Sequence, residues 1–103
     1  MVHGYLLAIF DTPATEKEDR KNYNRLIKSL KANGFHALQR SSFLKYQHNM
    51  KEVDGIIGKF KDFKDLGSSS LIFIPLVESQ YKKIQAIVGS IPDIDQEEAA
   101  EVI

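Results

Sequence analysis

The chain has 103 residues, with 14 lysines and arginines against 14 aspartates and glutamates, and no cysteine. That length suits one domain with a real core and leaves no room for a second, and the missing thiols exclude disulfides, zinc-thiolate sites and cysteine nucleophiles. No stretch approaches the roughly 18 apolar residues of a membrane span, and the apolar run near the start lacks a basic leader, so the expectation is a cytoplasmic protein with no membrane partner.

The neutral total conceals an asymmetry. Residues 1–89 hold all 14 bases against nine acids, an excess of five, whereas residues 90–103 hold Asp93, Asp95, Glu97, Glu98 and Glu101 without a base. The expected division is a folded unit over 1–89 and an acidic tail over 90–103. A basic body attracts polyanions, while such a tail turns away from them or docks on another partner.

Six consecutive apolar residues, Tyr5 to Phe10, are too few for a free-standing helix and read as a central strand covered on both faces. Asp11 ends the run and Pro13 forbids its continuation, so this carboxylate sits at a sheet end within reach of solvent, a metal or a phosphate. Thr15 reads as an N-cap for a helix from about Glu16 to Ala32, with Glu16, Glu18 and Asp19 complementing the helix dipole. Tyr23, Leu26, Ile27 and Leu30 form its buried stripe, and Asn33-Gly34 supplies a left-handed stop. On the opposite side gather Lys17, Arg20, Lys21, Arg25, Lys28 and Lys31, which taken alone read as a solvated face.

Phe35 to Tyr46 is extended in character around the polar centre Gln39-Arg40-Ser41-Ser42, as a hairpin or one bent strand. From His48 to Phe63 helical spacing returns through Met50, Val53, Ile57, Phe60 and Phe63, weakened by Gly55 and Gly58. Lys64 to Ser70 reads as a loop, Leu71 to Ile74 as a second apolar strand whose ladder Pro75 limits, and Glu78 to Lys83 as a turn or short helix. Ile84 to Val88 reads as one more brief strand, and residues 90–103 as disordered until bound. The order βαββαβ is the α+β, ferredoxin-like arrangement, with both helices on one side of an antiparallel sheet. The additional C-terminal strand has no slot in its own sheet and is expected to add to an edge of a second copy, giving a two-fold homodimer.

His3, His36 and His48 lack ligand spacing, and no phosphate-cradling glycine motif is present. Gly55-Ile-Ile-Gly58 is the spacing of a KH loop, but it lies inside one apolar pattern and reads as close helix packing. Asp11 alone binds magnesium feebly, because that ion wants octahedral oxygen ligands. A second copy bringing its own Asp11 alongside would make a paired-carboxylate site able to hold a metal and activate a water against a phosphodiester. The competing reading is that Asp11 only caps the Thr12-Pro13 turn or the first helix.

Phe10-Asp11-x-Pro13, Arg20-Lys21-x-Tyr23, Asn33-Gly34-Phe35, Gln39-x-Ser41-x-Phe43, Glu78-x-Gln80-Tyr81 and Ile87-Val88-Gly89 occur in that order across residues 5–89. In this the chain resembles the CRISPR-associated protein two family, the small subunit of the spacer-acquisition machinery, in the form that accompanies type II and type V systems. The resemblance implies a ferredoxin-like homodimer whose last strand pairs with the other protomer. It also implies a heterohexamer in which that dimer sits between dimers of the large integrase subunit and supports the double-stranded DNA prespacer in antiviral defence. Members are also described as magnesium- or manganese-dependent endonucleases acting on DNA or on RNA, single-stranded RNA included, which would make Asp11 catalytic residue and metal ligand. Lys17, Arg20, Lys21, Arg25, Lys28 and Arg40 become, by the same resemblance, the nucleic-acid footprint. The chain departs from the usual pattern at Val77, Ile72 and Ser42, which stand where a threonine, a base and a valine are usual.

Overall fold

A computed structural model describes residues 2–12, 16–65, 69–91 and 94. Strand β1 (Gly4–Asp11) leads into helix α1 (Lys17–Ala32), followed by the hairpin β2 (His36–Gln39) and β3 (Ser42–Gln47). The short helix α2 (Val53–Gly58) comes next, between 3-10 turns at Met50–Glu52 and Lys61–Asp65, then β4 (Ser70–Val77) and the single turn α3 (Glu78–Tyr81). The four strands lie in the order β2-β3-β1-β4, every neighbour antiparallel. This is the ferredoxin-like α+β arrangement, with β1 central.

Alternation along β1 sends Leu6, Ala8 and Phe10 to one face of the sheet, where they are buried with Leu26 and Leu30 of α1, Phe35, Phe43, Val53 and Phe60. Tyr23 and Ile27 pack against the same cluster, so the expected stripe of α1 faces the sheet. Its C-terminus closes as anticipated. Gly34 adopts φ +86, its N–H reaching the Lys31 carbonyl and that of Phe35 the Leu30 carbonyl, which satisfies orphan carbonyls while Phe35 folds back onto Leu30. The expected Thr15 cap lies outside the described residues, and the residue preceding the helix, Glu16, makes no capping hydrogen bond through its side chain.

Three expectations are corrected. β1 is not covered on both faces, since Ile9 is 40% exposed on the side away from the helices. β4 runs through Pro75 to Val77, because it pairs with β1 alone and a proline without N–H is tolerated on an edge strand. Gly55 and Gly58 serve no close helix packing, for a Cβ at either would meet nothing within 4 Å; the glycines instead accompany a helix of only six residues. Ile84 to Val88 pairs with none of the four strands of its own sheet, and Ile87 and Val88 stand 93% and 92% exposed. The expectation for the tail lies outside the described residues except at Ser90, Ile91 and Ile94.

Candidate nucleic-acid interface

The odd-numbered residues of β1, Tyr5, Leu7, Ile9 and Asp11, share the sheet face turned away from α1 and α2. Opposite them on β4 lie Leu76, Ile74, Ile72 and Ser70. Ile9, Ile72 and Ile74 are 40%, 55% and 37% exposed, and together form an apolar surface with Asp11 at its rim. Asp11 is itself exposed, paired with Ser70 in the ladder. Just beyond it, the Thr12 hydroxyl is buried without a hydrogen-bond partner.

Among the described residues no three histidines or acids converge as a metal-binding group. Asp11 is a single carboxylate, and one chain therefore does not fit magnesium or manganese, which need several oxygen ligands at once.

Lys17, Arg20, Lys21, Arg25 and Lys28 are all exposed, on the side of α1 opposite Leu26 and Leu30. The basic stripe thus points away from the sheet, whereas Asp11 opens on the other face, so the two features sit back to back. Among the described residues the ion pairs are His3 to Glu78 at 2.8 Å and Lys82 to Glu78 at 3.0 Å, and no acid neutralises the stripe. Arg25 is the member with a local role: its guanidinium lies 4.8 Å from the centre of the Phe63 ring, a cation-π contact that draws it toward the protein.

Arg40 links the two faces. It is exposed in the tight turn between β2 and β3, and its carbonyl accepts the Tyr23 hydroxyl of α1 at 3.3 Å. The adjoining Ser41 carbonyl accepts the Phe10 N–H at 3.0 Å. The guanidinium-bearing turn is therefore tied to the first helix and to the strand that ends in Asp11. Its parts were individually visible in the sequence, but Tyr23 reads there as a core residue and its hydroxyl gives no signal.

Two further groups went unnoticed. Lys45 faces the helices from β3 and is half-buried, donating to the Tyr46 carbonyl at 3.2 Å; burial first, then the neighbouring Lys59, pull its pKa below the ordinary lysine value, with Glu52 opposing. Tyr5, Tyr46 and Tyr81 form a ring cluster at the other end of the open face. There burial and Glu78 raise the Tyr46 pKa. The Glu78-x-Gln80-Tyr81 motif anchors that end: Glu78 holds His3 and Lys82, Gln80 accepts the Val77 N–H at 2.9 Å, and Tyr81 stacks on Tyr5.

Residues 4–84 match the family model described as CRISPR associated protein Cas2. The chain is similar to the CRISPR-associated endoribonuclease Cas2 of Treponema denticola, 29% identical over 85 residues that make up 82% of each protein. Its backbone is similar to the crystal structure of the hypothetical protein TT1823 from Thermus thermophilus, with a TM-score of 0.60 at 19% identity over 87% of this chain and 95% of that one, a likeness of fold.

Proposed function

The chain belongs to the CRISPR associated protein Cas2 family, and from that premise we propose that it is the DNA-binding scaffold of a spacer-acquisition complex. The observation that carries this reading is the row of exposed bases along α1, Lys17, Arg20, Lys21 and Lys28, paired with no acid among the described residues and extended by Arg40. Side chains of this kind on a regular helix contact the phosphate backbone and position a duplex without reading its bases. In this reading two copies join through their open sheet faces, where Ile9, Ile72 and Ile74 are exposed. The pair bridges dimers of the large integrase subunit in the cytoplasm and supports the middle of the prespacer duplex.

A second reading, a metal-dependent endonuclease, is favoured by the place of Asp11 at the rim of that apolar face and by the name of the Treponema relative. It requires Asp11 from both copies to hold magnesium or manganese, with RNA or DNA as substrate. Asp11→Asn separates the two. The scaffold reading expects duplex binding and assembly with the integrase unchanged in the variant. Loss of duplex binding in a folded Asp11→Asn protein would overturn it, and loss of metal-dependent cleavage alone would establish the nuclease.

A further inference from the structure

Arg40 and Ser41 are the two residues between β2 and β3. Two-residue hairpin turns ordinarily take a positive φ, because that twist matches the flanking strands, yet among the described residues no residue but glycine has one. The ladder beside the turn is irregular as well, with a register shift between Ala37 and Gln39. Such a turn does not set its own direction and depends on what holds it from outside.

Two hydrogen bonds hold it. The Phe10 N–H donates to the Ser41 carbonyl at 3.0 Å, and the Tyr23 hydroxyl donates to the Arg40 carbonyl at 3.3 Å. The first is a main-chain bond that forms whatever side chains are present, whereas the second depends on one phenolic oxygen. The half-buried Tyr23 ring is itself held, tilted against Phe10 at 5.8 Å, and Phe10 meets Phe43 of β3 at 5.9 Å. Arg20 is exposed one turn before Tyr23, about 60° round the helix from it. The hydroxyl therefore sets the Arg40 turn beside the part of α1 that carries Arg20, and neither guanidinium pairs with an acid among the described residues.

We propose that Tyr23 is a positioning residue for the nucleic-acid footprint: its hydroxyl holds the Arg40 turn so that Arg40 and Arg20 take neighbouring phosphates of one backbone. The proposal rests on the reading of the α1 bases given above. A guanidinium grips phosphate through paired N–H donors whose direction matters, and on a turn free to move part of that binding is lost to ordering the side chain. Tyr23 itself needs no phosphate contact, because its one proton is committed to the Arg40 carbonyl.

A double-mutant cycle on the full chain tests this, with Tyr23→Phe, Arg40→Ala and their combination. Fluorescence anisotropy of a labelled duplex reads the affinity, and thermal melts accompany it. Five bases at about −0.9 each give the wild type a slope of log K against log salt of about −4.5, and Arg40→Ala should bring it to about −3.6. Tyr23→Phe keeps the ring and should bind about two- to tenfold more weakly at about 0.1 M salt, the range that one neutral hydrogen bond spans. In the Arg40→Ala protein the same Tyr23→Phe change should leave affinity unaltered, because its effect passes through Arg40. An equal loss in both backgrounds would overturn the proposal, making Tyr23 a direct phosphate contact where the melting temperature holds and a support of the fold where it falls. No loss in Tyr23→Phe, or an unchanged slope in Arg40→Ala, would also overturn it while leaving the α1 stripe in place. A wild type that binds no duplex would overturn the α1 reading and the proposal together.

Discussion

Replacing Lys21 and Lys28 together by alanine should weaken duplex binding by an amount set by counterion release. Both are exposed in the middle of the α1 stripe, and neither has an ion pair to lose among the described residues. With Arg25 held over the Phe63 ring, five bases remain for phosphates: Lys17, Arg20, Lys21, Lys28 and Arg40. Each phosphate neutralised contributes about −0.9 to the slope of log K against log salt, so the wild type should show a slope of about −4.5 and the double variant about −2.7. Raising salt from about 50 to about 200 mM should then cost the wild type about 500-fold in affinity and the variant about 40-fold. Fluorescence anisotropy of a labelled duplex over that salt range measures both, and two duplexes of unrelated sequence should behave alike. An unchanged slope in a variant of native thermal stability would remove this face of α1 from the interface.

Ile72→Asp, in the middle of the apolar face, should abolish dimerisation measured by sedimentation while leaving the melting temperature of the dilute chain nearly unchanged, because Ile72 is 55% exposed in the single chain. Gly34→Ala forces a side chain into φ +86 and should destabilise by about 1–2 kcal/mol in urea unfolding. The Glu78 carboxyl is held below its ordinary range chiefly by the Lys82 hydrogen bond, with His3 assisting and burial opposing. Since the folded pKa is depressed, that contribution is present above the ordinary carboxylate pKa and disappears as pH falls through the folded value; Glu78→Gln should flatten this acid limb in thermal melts taken between about pH 7 and pH 3. Lys45 runs the other way in sign. Its folded pKa is also depressed, but the charged form is the disfavoured one, so a penalty present at neutral pH is relieved as pH rises through the folded value toward the ordinary 10.5. Lys45→Met should therefore raise the melting temperature near pH 7, by a margin that shrinks toward about pH 10.

The elements that end in strong local signals were legible in the sequence. Asn33-Gly34-Phe35 dictates the close of α1, and the spacing of Tyr23, Leu26, Ile27 and Leu30 dictates which side of it meets the sheet. What the sequence conceals is the sidedness of β1. From Tyr5 to Phe10 every residue is apolar, so nothing in the run shows which parity faces the helices, and the open face with Asp11 at its rim cannot be told from the covered one. For the same reason the sequence did not show that the basic stripe and Asp11 point in opposite directions. The run Ile84–Val88 states a tendency to pair but not which edge accepts it. Ile94 was invisible, being one apolar residue in an acidic stretch whose slot is assembled from β1 and β3.

The quoted motifs mostly hold the fold together. Tyr23 steadies the Arg40 turn, Gly34 and Phe35 finish α1, and Glu78, Gln80 and Tyr81 secure the junction after β4. Their ordered occurrence is therefore specific for an architecture, and of the charged positions that would carry function Asp11, Arg20 and Lys21 lie within them.

Placing the bases on the back of α1 and the bare isoleucines on the front of the sheet gives this molecule a greasy front and a charged reverse, separated by the thickness of its core. In the proposed reading self-association and polyanion capture would draw on different ground, so that strengthening one by mutation should take nothing from the other. Doubling the molecule front to front would leave two cationic flanks facing outward, a geometry that spreads along a rod longer than either copy.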